Sequence, residues 1–524
     1  MTRHKNLTVS MAPTLCAVED GGDPCDELDA WSERLGVKRY DIKRNINQLQ
    51  SPIVRQLPPD VMSTIFEFCL PDFTDNQRVN QISPFTEEDI SIPLSLGAIC
   101  SYWRDIAWST PSLWSSLVIS VTRDHDPDIV TGLAQEWLSR SGQLPLSIRI
   151  YSNLHEHEAF SALADIINQY SARWSDLLLY IPDSYYQHFH ATDNHAPILK
   201  SIRFNCSTYV EKSKFRLTCP RLERAIFSYF PMGGINIQWD NLTHLTLHSM
   251  FIIDSLVILR KTPRLVFCHV SGYAPQFRGP PSIAPIVLAS LKILLLTNFV
   301  PDFFNNLIAP ALEEFSLREY YIPSIGAISA FLRRSACSLR YFFTILSTIP
   351  PYFEGFMHLL ESMPSLNTLS IMSITNTHLE KNTCFTTPED YVPRYIMQIL
   401  DKVISSQSSS TSLQQQGFLP NLKILIYSGK LNFCIRPDDY DHLLPPDNAV
   451  RGPLQLITID LTQHRYRLPK NIISYLSRFM ERGVTVKVMS KSEDILQSSI
   501  DYFRRREDFF CRDWADNFDS SLFS

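Results

Sequence analysis

Along most of the chain the apolar positions fall into one short phrase, Leu-x-x-hydrophobic-x-hydrophobic, usually preceded by a proline or small residue. It reads Leu199–Phe204, Leu222–Phe227, Leu242–Leu247, Leu265–Val270, Leu291–Leu296, Leu312–Leu317, Leu366–Ile371 and Leu422–Tyr427, with weaker copies at Trp174–Leu179, Leu339–Thr344 and Leu454–Ile459. Apolar residues two apart predict a strand with the fourth and sixth residues of the phrase turned inward. The leading positions 174, 199, 222, 242, 265, 291, 312, 339 and 366 stand 20 to 27 residues apart. That spacing lets the dozen residues after each strand return on the far side of the sheet, so the strands run parallel. Helical spacing marks several returns: Ser255–Arg260, Ile325–Arg334, Tyr352–Met363 and Ile472–Arg482.

The third, fifth and seventh residues of each phrase then face outward. Ser201, Arg203 and Asn205 come to lie beside Arg224, Ile226 and Ser228, then His244, Thr246 and His248, then Phe267, His269 and Ser271. A mixed polar and aromatic surface of this kind suits protein recognition. The candidates on it are Arg203, Arg224, His244, His248, Phe267 and His269. His244 and His248 would stand about 13 Å apart on an extended strand, too far to share one metal ion.

Between Leu57 and Leu117 the pattern changes to helical spacing. A first helix opens at Pro58 and Pro59, where a missing N–H does no harm, carries Asp60 in its first turn, and stops at Pro71. Val61, Ile65 and Cys69, with Met62, Phe66 and Leu70, give it a wide apolar face. A second helix is predicted from about Pro93 to Ala107 on Leu96, Ile99, Trp103 and Ile106. A third begins with Thr110 as N-cap and Pro111 at the first helical position, and carries Leu113, Trp114 and Leu117. A unit of roughly sixty residues is marginal alone, and this one has more apolar surface than it can hide in itself, which points to a partner.

These residues resemble a known family. Leu57-Pro58-Pro59-Asp60-Val61-Met62 with Ile65-Phe66, followed by Cys100-Ser101-Tyr102-Trp103-Arg104, is similar to the F-box, the helical module that docks a Skp-type adaptor in cullin-based ubiquitin ligases. Ser109–Leu117 resembles a phrase common in the large group of fungal F-box proteins. The resemblance implies adaptor contacts at Leu57, Pro58, Ile65, Leu96, Ile99 and Trp103. It also implies a cullin scaffold as partner, a bound target protein, no catalytic residue in this chain, and a cytoplasmic or nuclear location. The period of the longer phrase is similar to that of leucine-rich repeats. The expected fold is therefore α/β: a short all-α F-box of three helices, then an irregular solenoid of parallel strands with helical returns. One departure stands out. The Asn or Cys that usually follows the repeat phrase is missing from every copy, and Pro182, Phe230, Met250, Phe299 and Tyr320 occupy five of those places.

The domain limits follow. Residues 1–24 are expected to be disordered by composition. Residues 25–50 form an amphipathic helix, with Leu28, Leu35, Ile42 and Leu49 at heptad steps and Trp31 beside them, packing against the F-box or self-associating. The F-box spans 51–120 with a polar insert at about 72–91. The solenoid spans 121–490 with a disordered serine-rich insertion at about 405–417, and residues 491–524 cap its end.

Composition narrows the chemistry. The chain of 524 residues is 44% hydrophobic and 19% charged with a formal net charge of -6, which makes nucleic acid an unlikely partner. Its 11 cysteines are scattered without a Cys-x-x-Cys pair, which fits neither a disulfide framework nor a zinc site. No signal peptide or membrane span is read from it. There is no Gly-x-Ser-x-Gly, no phosphate-cradling loop and no His-Glu-x-x-His. His155, His157, His188, His190 and His195 fall in expected surface loops, and neither a metal nor a cofactor is expected.

Overall fold

The computed structural model describes residues 57–71, 91–123, 126–152, 158–206, 215–229, 235–273, 285–297, 301–318, 325–346, 353–373, 396–403, 417–429, 453–461, 470–490 and 493–504, with single positions 31, 34, 35, 38, 39, 41, 42, 154 and 468. The expected inserts at 72–91 and 405–417 and the expected disorder at 1–24 lie outside them, but for Ser91 and Gly417. The chain divides into two compact units. The first runs to Trp114 and includes Arg140–Gly142; the second comprises Ser115–Ser139 and the chain from Gln143 onward.

In the first unit α1 is Pro59–Phe68, with Pro58 in an extended conformation at its N-cap and Cys69 closing it two residues before Pro71. Where one long second helix was expected, two stand instead, α2 at Ile92–Ile99 and α3 at Ser101–Ser109. The cause is Cys100, whose backbone is extended at φ -159 and ψ 169 and whose Sγ accepts the Trp103 N–H at 3.5 Å. Apolar spacing cannot reveal such a break, because it runs on through Cys100 without interruption.

The expected third helix is a single 3-10 turn, Pro111–Trp114. Thr110 does not cap it with its side chain, since its hydroxyl donates backward to the Ile106 carbonyl at 2.7 Å. Trp114 ends the unit, its Nε1 donating to the Ala107 carbonyl at 2.7 Å and its ring edge-on to Trp108 at 5.3 Å. The Arg140 guanidinium lies 4.5 Å and 4.7 Å from these two rings. Met62, Phe66, Leu96, Ile106, Ala107, Leu113 and Trp114 make the core. The unit therefore stops short of the expected boundary at 120, and Leu117 belongs to a strand. The described positions between 31 and 42 are helical, with Trp31, Leu35 and Ile42 exposed, and the rest of the helix expected over 25–50, Leu28 and Leu49 included, lies outside the described residues.

The second unit is mixed α/β, built on one mostly parallel 15-stranded sheet whose strands follow chain order. They are β1 Ser116–Ser120, β2 Leu146–Tyr151, β3 Trp174–Tyr180, β4 Ser201–Asn205, β5 Arg224–Ser228, β6 His244–Phe251, β7 Phe267–Tyr273 and β8 Ile293–Thr297. Then come β9 Glu314–Arg318, β10 Tyr341–Leu346, β11 Thr368–Ser373, β12 Ile424–Gly429, β13 Leu456–Leu461, β14 Thr485–Ser490 and β15 Glu493–Asp494. Only β15 is antiparallel to its neighbour, and it takes up part of the edge that β14 would otherwise leave open.

Each phrase is held in three ways. Its leading leucine is buried, as Leu199, Leu222, Leu242, Leu265, Leu291, Leu312, Leu366 and Leu422 all are, and that leucine's N–H closes a turn onto the residue three before it, for example Leu222 onto the Cys219 carbonyl at 3.1 Å. Its second residue joins a line of backbone bonds from strand to strand, starting with the Lys200 N–H on the Ser175 carbonyl and the Glu223 N–H on the Lys200 carbonyl, both 2.9 Å, and reaching the Thr485 N–H on the Gln455 carbonyl at 2.8 Å. After the strand the N–H of Cys206 bonds to the Ser228 carbonyl at 3.0 Å and that of Tyr229 to the His248 carbonyl at 3.1 Å. Groups that an asparagine side chain would satisfy at this bend are met here by the next strand, and Tyr229 and Ser249 turn the chain with φ of 54 and 52.

The returns are helical at Pro127–Arg140, Ala159–Asn168, Ile252–Arg260, Ile325–Ser335, Phe353–Glu361 and Lys470–Glu481, and over 396–403. Four returns carry short strands of their own, those before β5, β6, β8 and β9. Phe215–Leu217 pairs with Ile235–Ile237, and Ile286–Val287 with Leu307–Ile308, as separate two-stranded parallel ladders. Between sheet and returns lies the core, in which Phe204 meets Phe215 at 4.7 Å and Phe315 meets Phe342 at 5.6 Å.

Candidate functional site

Two surfaces carry the residues of interest, one in each unit. On α1 the side chains at spacings of four and three, Val61, Ile65 and Phe68, share one face and lie open to solvent, Ile65 by 42% and Phe68 by 86%. The opposite face, Met62 and Phe66, is buried. Phe66 packs on the Trp103 ring at 4.9 Å, so α1 is pinned by one side and bare on the other.

The residues expected to dock an adaptor divide by burial. Pro58 and Ile65 are exposed, Leu57 and Trp103 are half-buried, and Ile99 is 58% exposed. Leu96 is only 8% exposed and belongs to the unit's own core, so its side chain has little to offer a partner. Val61, Phe68 and Leu94 are exposed and were not among the sequence candidates. The i, i+4, i+7 signal for the first two is present in the sequence. It is masked because apolar residues stand on both sides of this helix.

In the second unit the strand register decides which outward residues meet. Ser201, Arg203 and Asn205 of β4 stand opposite Arg224, Ile226 and Ser228 of β5, and these stand opposite His244, Thr246 and His248 of β6. His244 then pairs with Phe267 and Thr246 with His269. The His244 ring stacks on Phe267 with centroids 5.8 Å apart, and His248 meets His269 edge to face at 4.9 Å. Further along the same face Arg318 stands 5.6 Å over the Phe343 ring.

This surface is partly dry, and its ionisable groups respond. Burial, with help from the His248 and Arg318 charges, pushes the His269 pKa down to about 4. Burial lowers His248, while burial and then Arg224 lower His244 against the opposing Glu223 carboxylate. At neutral pH all three rings are uncharged and act as aromatic surface and neutral hydrogen-bonding groups. Arg203 is lowered by burial and supported by Asp176.

Sequence reasoning missed the first two strands and with them Arg149 and Tyr151 on the same face as Arg203. At β1 the place of the leading leucine is taken by Trp114, and at β2 the buried Leu146 stands opposite Trp174 but a register shift after it shortens the phrase by one residue, so neither start is recognisable. A usable signal was the tryptophan: Trp174, which leads β3, donates from Nε1 to the carbonyl seven residues back, Ile167, at 3.2 Å, as Trp114 does to Ala107.

Among the described residues no three His, Cys, Asp or Glu side chains gather as a metal site, and no helix is long and apolar enough to cross a membrane. No protein-family model and no curated protein matches the chain. Fold and surfaces together define a mixed α/β protein with a large, mostly parallel sheet and a separate small helical unit.

Proposed function

We propose that this chain is the substrate-recognition subunit of a cullin-based ubiquitin ligase. In this reading the helical unit is an F-box and the second unit a degenerate leucine-rich-repeat solenoid. The observation that carries it is the bare apolar stripe of Val61, Ile65 and Phe68 on a helix whose sequence resembles the F-box opening. A Skp-type adaptor covers that stripe together with Leu57, Pro58, Ile99 and the exposed part of Trp103, and brings the cullin scaffold with it. The outward face of β4 to β7 holds the target protein. Catalysis is then positional: a target lysine is presented at high local concentration to thioester chemistry carried by another protein. The chain itself uses no cofactor, and its place of action is the cytoplasm or the nucleus.

The test is co-expression with a Skp-type adaptor and a cullin, comparing the parent with an Ile65→Asp, Phe68→Ser double variant of the full chain. The expected result is a stoichiometric complex for the parent, lost in a variant whose circular dichroism is unchanged. Adaptor retention without cullin would favour a scaffold acting outside a ligase. No adaptor complex with the folded parent would overturn the F-box reading.

A further inference from the structure

The outward side of the sheet changes character beyond Arg318. On β10 to β13 the inward residues Phe342, Leu369, Leu425 and Ile457 are buried in the core. The outward residues between them include Phe343, Ile345, Met372, Ile424, Ile426 and Leu456, each half-buried. The register joins these into one surface. Ile345 stands opposite Met372, Ile424 opposite Leu456, and Phe343 and Ile426 flank Ser370 on either side. Ser370 is only 7% exposed, so its larger neighbours close over it. The other outward positions up to Asp460 carry hydroxyls and no charge. Large apolar side chains left half-exposed side by side mark a surface that a partner covers.

Two exposed charges of opposite sign bound this surface, Arg318 at the end of β9 and Asp460 on β13. Arg318 follows Leu317, which pairs with Thr344, and so falls in the row of Ile345; that row continues through Met372 and Ser428 to Asp460. The row spans about 19 Å, four strand spacings, and the apolar ground is about 13 Å deep along the strands. Arg318 lies over the Phe343 ring, and neither it nor Asp460 has an ion-pair partner among the described residues. The nearest like charge on each side is set back: Lys487 on β14 pairs with Thr458, one row from Asp460, and Glu314 stands four residues before Arg318.

We infer that this surface receives an amphipathic helix of a partner protein, laid across β10 to β13 with its apolar stripe against the sheet. A carboxylate in its first turn meets Arg318, and a basic side chain three turns on meets Asp460. The inference rests on the target-holding role proposed for the outward face and names the kind of segment held. A helix about 10 to 12 Å across matches the depth of the apolar ground, whereas an extended segment on the same line would cover one row and leave the others wet. Helical residues eleven apart return to the same side within about 20° and rise about 16.5 Å, which long side chains extend to the Arg318–Asp460 span. An acidic first turn and a basic last turn also suit the helix's own dipole.

The experiment uses the full chain and a fluorescein-labelled twenty-residue peptide, helical by circular dichroism. It carries Glu and Lys eleven residues apart, with Leu or Phe three, four, seven and eight residues after the Glu. A second peptide exchanges the Glu and Lys, and a third has Pro at its centre. Fluorescence anisotropy is expected to show the first bound about tenfold more tightly than either of the others. Phe343→Ser is expected to weaken the first peptide by about tenfold. An Arg318→Glu, Asp460→Lys double variant, altered only at exposed positions, is expected to prefer the exchanged peptide. Equal binding of the first two peptides by the parent, or a double variant that keeps the parent's preference, would overturn the inference. Undiminished binding of the Pro peptide would overturn the choice of a helix. A parent that sediments as a dimer and a Phe343→Ser variant that sediments as a monomer would assign the surface to a second copy instead. Adaptor capture is scored on the same preparations: capture without peptide binding sinks this inference alone, and peptide binding without capture sinks the ligase reading alone.

Discussion

Two phenylalanines of α1, two residues apart, ought to respond to truncation in opposite ways. Phe66 is fully buried against Trp103, while Phe68 is 86% exposed. A phenylalanine side chain offers roughly 200 Å² of surface, so Phe68 leaves about 170 Å² for a partner to cover. At about 25 cal/mol per Å² that is worth about 4 kcal/mol, and with the cost of ordering the interface about 2 to 3 kcal/mol, or about 30- to 150-fold in affinity. Phe68→Ala is therefore expected to weaken a Skp-type adaptor by about that factor in isothermal titration while leaving thermal unfolding of the chain unchanged. Phe66→Ala removes core packing worth about 3 to 5 kcal/mol, close to all the stability a unit of this size has, and is expected to unfold the helices. Adaptor affinity for Phe68→Ala within threefold of the parent, or a stability loss equal to that of Phe66→Ala, would refute the assignment of an outer and an inner face.

Three further expectations follow from burial. Gly97 lies under the Trp108 ring so closely that a Cβ would overlap it, and Gly97→Ala is expected to destabilise the helical unit by about 1 to 3 kcal/mol, read from urea unfolding followed by tryptophan fluorescence. Thr344 is fully buried at an inward position of β10 with no partner for its hydroxyl among the described residues, so Thr344→Val should raise the thermal midpoint, a gain of about 1 kcal/mol. Burial pushes the Asp401 carboxyl up to about 6 against the opposing hydrogen bond from Tyr475. A raised folded-state pKa makes the stabilising contribution complete below the unfolded value near 4 and lost as pH rises through 6, so the stability of Asp401→Asn relative to the parent should grow by about 1 kcal/mol between pH 5 and pH 8. An unchanged difference in urea midpoints at the two pH values would count against it.

The repeated phrase made most of the sheet legible. Period-two apolar spacing with a constant offset fixes both the inward residues and the cross-strand rows, which is why the sequence alone places Arg203, Arg224 and His244 on one face. What stayed hidden depended on contacts distant in sequence or on the backbone of single residues. Cys100 breaks a helix that its neighbours' spacing continues, and Trp114 and the register shift after Leu146 disguise the first strands. Leu96 and Ile99 have the same apolar character and only burial separates them. No local pattern says that Phe215–Leu217 and Ile235–Ile237 pair with each other rather than form helices.

Between β11 and β12 lie residues 374–423, about twice the usual interval, yet the two strands are adjacent and in register from Thr368 and Ile424 to Met372 and Ser428. The line of backbone bonds passes from Asn367 to Lys423 at 2.8 Å as though nothing intervened. An architecture that tolerates such a detour can also gain, lose or lengthen one strand and its return while leaving the remaining rows aligned. Its outward surface can therefore diversify row by row over evolutionary time, each row open to selection with only its two neighbours constraining it.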